Sequence, residues 1–379
     1  MAAPPTYRVL LYGSSPASAN GFSPANLLAE FENVKNLGWE KHLNDVGSAF
    51  WTINQDDPKV AGLRGYGGVA HVQIIRNNET CFRGLWAEWD ANGEDVIFYA
   101  YGYEHLLHSL LSSWDMKWQD AQINTIVSDL WTRAKTTLTY SPVGFVTTGT
   151  IEAPVTTSGG ATPIVLPLYR IFYKRILYSL RELAAISISD TTNTVYFELA
   201  HALDPTDETV TFNFWKNRST DRDIKWEYPN GIVADFSDVR LPVENRNDLF
   251  GIGSAPNDIL LNSEVTQAAG ATGYQSFGRR QEPLAFAWVR DDSDMTRVLN
   301  LRLARAIRSE PDIRIQAYAN SIVPPGMTGA GYNLGDRVYI ALNRGLTSLG
   351  EFMFISGVQV LYLRGNELVQ PWLMERSGT

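Results

Sequence analysis

Phe82, Gly84 and Trp86 alternate with Arg83, Leu85 and Ala87, a period of two that predicts a strand. Asp90-Ala91-Asn92-Gly93 then supplies residues that tolerate positive φ, the chemistry of a turn. Val96, Phe98 and Ala100 alternate with Ile97, Tyr99 and Tyr101, so the returning strand is apolar on both faces and is expected to be buried on both. From Tyr103 the period lengthens. Leu106, Leu107, Leu110 and Leu111 fall at i, i+3, i+4 spacing, one stripe of a helix. The chain thus leaves a sheet and enters a helical segment near Gly102, a natural boundary.

The same alternation predicts strands at Tyr7–Gly13, 33–43, Ala49–Ile53 and 68–76, a first β domain of about a hundred residues. Asp120 to Lys135 carries Ile123, Ile126, Val127 and Leu130 at helical spacing, with Asp120 near the expected N-terminus. Residues 141–166 are rich in Thr, Gly, Ser and Pro and read as an exposed loop or β-finger. A helix is predicted over Pro167 to Ile186, its stripe formed by Ile171, Ile176, Leu180 and Leu183. Alternation returns at 195–199 and 210–215, and 224–236 reads as a hairpin turning at Pro229-Asn230-Gly231. After a short strand at 247–251, a helix is predicted over 294–308, with Met295, Val298 and Leu299 on its buried side. Strands at 313–319, 338–342, 352–363 and 368–374 complete the pattern, and no internal repeat is visible. The predicted class is mainly β with an α+β insertion: domains at 1–103, 104–239 and 240–379.

Composition narrows the function classes. Hydrophobic residues make up 44% and charged residues 19% of 379, values of a globular chain. Aromatics at 12%, including 11 Trp, suit β packing, interfaces and sugar clefts alike. A net charge of -9 argues against a surface devoted to gripping nucleic acid, although a repulsive lumen still lets a polyanion pass. A single cysteine, Cys81, excludes an internal disulfide and reads as a small buried apolar residue. No run of ~18 apolar residues predicts a membrane span, and no secretory signal pattern opens the chain. The expectation is a chain made in a cytoplasm.

Candidate chemistry is sparse. Trp86, Glu88, Trp89 and Asp90 place two carboxylates beside two stacking aromatics, as a glycosidase or lectin requires, but Asp-Ala-Asn-Gly is turn chemistry first. His105 and His108 stand at i, i+3 without a third ligand nearby in sequence, so no metal site is expected. No nucleophile elbow, phosphate loop or complete dinucleotide fingerprint occurs, so neither an enzyme nor a cofactor is expected.

Three stretches carry a resemblance: the opening unit with Phe82, Gly84, Gly102, Tyr103, Leu106 and Leu107; Tyr274 to Glu282, including Gly278 and Glu282; and Leu334-Gly335-Asp336-Arg337-Val338 before the long late strand. In order and spacing they resemble the tail-hub, or baseplate-hub, proteins of siphoviruses, which are similar at longer range to the hub of contractile tails. Phe277 stands where that pattern more often has Tyr. The resemblance implies two related β-barrel hub domains flanking the mixed domain. It further implies a homotrimer whose pseudo-sixfold ring meets the hexameric distal tail protein at the virion tail tip. Such a hub closes the tube around the C-terminal end of the tape-measure protein until DNA ejection, and adjoins other tail-tip or receptor-binding proteins. With Thr379 just past the expected last strand, a hub without an appended enzyme is expected.

Overall fold

The structure, a computed structural model, describes residues 4–14, 23–32, 34–64, 66, 70–112, 115–137, 141–153, 155–156, 162–163, 165–188, 195–216, 220–240, 248–254, 260–266, 280–286, 295–296, 299–300, 303, 311–363 and 365–374.

The N-terminal third folds into β1 (Tyr7–Gly13), β2 (Leu27–Phe31), β3 (Asn36–His42), β4 (Ser48–Asn54), the short helix α1 (Pro58–Gly62), β5 (Ala70–Arg76), β6 (Glu79–Asn92) and β7 (Asp95–Gly102). The next part holds α2 (Glu104–Ser109), β8 (Met116–Gln122), α3 (Ile123–Thr132), β9 (Thr147–Ile151), β10 (Val155–Thr156), β11 (Thr162–Pro163), β12 (Val165–Ile171) and α4 (Ile176–Ile188). It continues through β13 (Val195–His201), β14 (Val210–Lys216), β15 (Asp221–Tyr228) and β16 (Val233–Arg240). The remainder is β17 (Asp248–Ser254), β18 (Leu260–Thr266), β19 (Gln281–Phe286), β20 (Pro311–Ala317), β21 (Arg337–Arg344), β22 (Thr347–Leu363) and β23 (Asn366–Met374).

Strands from both ends of the chain join in one sheet of thirteen described strands, in the order β2-β1-β5-β6-β7-β4-β3-β22-β23-β20-β16, with β21 on β22 and β15 on β21. The hinge of this arrangement is the 17-residue β22. Its first half pairs with β21, from Arg344↔Thr347 to Arg337↔Phe354. Its second half changes partner and pairs with β3, from Gly357↔His42 to Leu363↔Asn36. A register shift between Ile355 and Gly357, against β23, marks the changeover, and such irregularities bend a strand and increase its twist. Gly357 suits the close approach there, because a Cβ would lie 2.9 Å from the His42 ring and 3.1 Å from the Lys41 carbonyl. The two strand sets therefore curl around β22 and β23 as shared staves, and no hydrogen-bonded ring closes among the described residues.

One core fills both curls: Val9, Trp39, Trp51 and Phe98 from the first, Trp226, Ile315 and Ile340 from the second, and Val360 from the shared β22. A second core belongs to the helices. Leu107, Ile126, Leu130 and Leu180 pack there with Phe212 and Phe214 of β14, and Leu249, Met295, Leu299 and Leu303 join them. The predicted helix at 294–308 is helical at its described positions 295–296, 299–300 and 303; its other positions lie outside the described residues.

Three predicted elements differ. The helix expected from Pro167 is strand β12 up to Ile171, paired antiparallel with β8, and α4 starts only at Ile176. Leu166, Leu168 and Ile171 are buried, and a two-stranded ribbon tolerates Pro167, which lacks an N–H. Asp120 belongs to β8 at φ 47°, so α3 begins after Gln122. The expected 224–236 hairpin turns, yet its arms do not pair: β15 runs parallel to β21 while β16 pairs with β20. Within 141–166, Val143 and Val146 are buried and β9 is an exposed strand beside β14.

Candidate functional site

Three structural parts meet over a cavity of about 220 Å³. Lys41 and His42 come from β3, Thr80 to Arg83 from β6, Glu104 from the first turn of α2, Glu198 to His201 from β13, and Pro325 to Met327 from the loop before β21. The walls are tied by backbone contacts. Thr80 N donates to Leu203 O at 2.7 Å, Gly102 N to Gly47 O at 2.8 Å, and Phe197 N to the Asn44 side chain at 2.8 Å.

Charged and titratable side chains concentrate here, Arg83 buried and Lys41, Glu104 and His201 half-buried. Lys41 Nζ lies 2.9 Å from His201 Nε2, and Leu199 N donates to Glu104 Oε1 at 3.1 Å. Burial pushes the Glu104 carboxyl up to about 7, holds the Lys41 ammonium below its usual range, and holds His201, beside Lys41, well below its own. The Cys81 thiol is pushed up to about 12 by burial and donates to Ile74 O at 3.4 Å, an inert environment for a thiol. The cluster links the first curl, the helical part and the loop before β21.

Two buried carboxylates fasten other seams. Arg76 of β5 makes a two-pronged contact to Glu367 of β23, Nε to Oε2 at 2.7 Å and Nη2 to Oε1 at 2.8 Å. Tyr7 OH donates to the same carboxylate, and Asn320 Oδ1 accepts the Glu367 N–H at 3.0 Å. Asp336 accepts from Arg222 Nε at 2.6 Å and Asn333 N at 2.8 Å, holding the parallel β15–β21 pair.

Each sequence-predicted position has a definite place. Phe82, Tyr103, Leu106 and Leu107 are buried, and Tyr103 OH hydrogen-bonds with His71 Nδ1 at 2.8 Å. Gly84 faces Gly102 across β6–β7, where a Cβ on Gly84 would sit 2.1 Å from the Tyr101 carbonyl. Gly335 adopts φ 87° immediately before buried Asp336. Glu282 is half-buried in β19, and Gly278 lies outside the described residues. His105 and His108 stack face to face at 5.6 Å with the Arg175 cation against His108, an arrangement opposed to a bound metal ion. No group of three His, Cys, Asp or Glu among the described residues is placed to hold one.

The acid-aromatic cluster is not assembled as a glycosidase site. Trp86 is buried and donates from its indole N–H to Glu88 O at 3.0 Å, while Trp89 is 53% exposed. Glu88 and Asp90 are exposed, and neither lines the cavity of about 230 Å³ that Trp89 borders. These inward-facing charges escaped sequence reasoning. Their signal was phase: Lys41 shares a strand face with Leu37 and Trp39, and Glu367 with Val369 and Leu373, on faces that are otherwise apolar.

No protein-family model matches the chain, and no curated protein matches it in sequence. Solved structures do match in fold. A tail protein from Neisseria meningitidis MC58 aligns with a TM-score of 0.63 at 10% identity over 98% of this chain and 97% of its own. The 43 kDa tail protein of prophage MuSo2 from Shewanella oneidensis aligns at 0.61 and 11% identity, covering 98% and 99%. A chain of the Francisella PdpA-VgrG complex aligns at 0.55 and 10% identity over 99% of this chain and 53% of its own. From end to end, this chain has the fold of those tail proteins.

Proposed function

We propose that the chain is a structural, non-enzymatic hub of a phage tail or phage-like particle. Three copies form a ring at the tail tip, and the two curls of each copy serve as related barrel-like domains, so three chains present six similar units to a hexameric distal tail protein. The ring closes the tube around the end of the tape-measure protein and opens for DNA ejection. The carrying observation is the end-to-end overlap with a tail protein, 98% of this chain and 97% of the other, without a large unmatched part on either side. Shared staves β22 and β23 support the reading, because they join the two curls in one hydrogen-bonded sheet. The acidic balance of -9 supports a lumen that does not retain DNA.

Mixing the chain with the distal tail protein encoded in the same genome tests the adapter role. The expected product is a complex of three copies with six. Failure of the two proteins to associate would contradict it.

A further inference from the structure

The Trp89 cavity carries a second inference, independent of the hub reading. In a regular strand Trp86 and Trp89 would face opposite sides of the sheet. A bulge between Trp86 and Glu88 inserts one residue, so Trp86 opposes Ala100 while Trp89 opposes Phe98. Both indoles therefore reach one face. Trp86 packs edge-on against Phe98 at 5.4 Å as a buried floor, and Trp89 stands half-exposed at the mouth.

Polar groups complete the mouth from another element. Gln55, Asp56 and Arg64 line the cavity opposite the hairpin. Gln55 N donates to Glu94 O at 2.8 Å, tying the β4–α1 turn to the tip of the β6–β7 hairpin and fixing the width between them. Among the described residues, no side-chain hydrogen bond or ion pair engages the Asp56 carboxylate or the Arg64 guanidinium. At about 230 Å³ the space is smaller than the ~300–1,000 Å³ of drug-sized sites and suits a single ring.

We propose that this cavity binds one neutral pyranose unit of a polysaccharide. An indole face packs against the C–H face of a sugar, and a carboxylate, a guanidinium and an amide recognise paired hydroxyls. A cationic ligand is disfavoured by Arg64, and an anionic one by Asp56 and the chain's acidic balance. The proposal stops at binding: retaining and inverting glycosidases use two carboxylates flanking the bond, and among the described residues Asp56 is the one carboxylate lining this cavity.

Saturation-transfer NMR with D-glucose, D-galactose, L-rhamnose and N-acetyl-D-glucosamine tests the site on the full chain. At least one sugar is expected to receive saturation on its ring C–H protons. Trp89→Ala should weaken that binding about tenfold, and Asp56→Asn should also weaken it. Both positions are exposed, and unchanged circular dichroism would show that the variants fold. If no sugar in the panel binds the wild type, or if Trp89→Ala binds as well as the wild type, the proposal is overturned.

Discussion

At the scale of single residues, the molecule is closed by charges placed where the alternation leads one to expect hydrocarbon. Glu367 is buried with Arg76, Tyr7 and Asn320 around it, so removing one partner strands the others. Arg76→Ala should cost about 3–5 kcal/mol in denaturant unfolding, whereas a surface pair such as Arg344–Asp235 should cost under about 1 kcal/mol. Equal, small losses at both pairs would refute the assignment. Gly84→Ala should destabilise by about 1–3 kcal/mol, since its Cβ meets a backbone carbonyl that cannot move aside. Glu104 gives a pH signature. Its folded value of about 7 lies above the ordinary 4.5, so its stabilising contribution is present below 4.5 and is lost as pH rises toward 7. His201 is depressed, so its contribution is present above its ordinary 6.5 and is lost as pH falls below it. Unfolding titrations of wild type and Glu104→Gln should therefore diverge between pH 4.5 and 7 in favour of the variant; parallel curves would count against a buried Glu104. These residues were legible only as breaks of phase, because a single strand does not reveal the partner that neutralises an inward charge.

At the scale of elements, periodicity reported local form well and pairing poorly. The unit from Phe82 to Leu107 has its two strands and its helix in the predicted order, but Asp90, Ala91 and Asn92 belong to β6, paired with Ile97, Val96 and Asp95, so the turn falls at Gly93-Glu94 instead of 90–93. Pro167 to Ile171 was misread because its apolar residues fit a helical stripe as readily as a ribbon, and only the contact with β8 decides. The Pro229-Asn230-Gly231 turn is real, but turn chemistry does not dictate whether the arms pair, and each finds a better partner elsewhere. The long β22 was visible as a long apolar run; its change of partner at Gly357 was not. Because β22 and β23 serve both curls, amides of β3, β21, β22 and β23 should exchange with solvent as one late-opening unit. The two-stranded β8–β12 ribbon should open earlier. Independent exchange of β3 and β21 would contradict the shared-stave arrangement.

For the whole molecule, two hydrophobic cores adjoin a charged cavity. The large core holds the curls together, the helical core carries β14 with Met295, Leu299 and Leu303, and the cavity around Lys41, Glu104 and His201 lies where the parts meet. The aromatics divide between inside and outside: Trp51, Trp86, Trp131 and Trp226 are fully buried, while Trp89, Phe172 and Tyr173 are exposed. The mainly β class and the likeness to tail proteins could be seen in the chain's order of motifs. The continuity of the sheet could not, since it depends on strands more than three hundred residues apart. The most direct test of the hub account is the native mass of the purified chain across a concentration series. The account predicts a species of three chains that persists on dilution; a monomer at every concentration would contradict it.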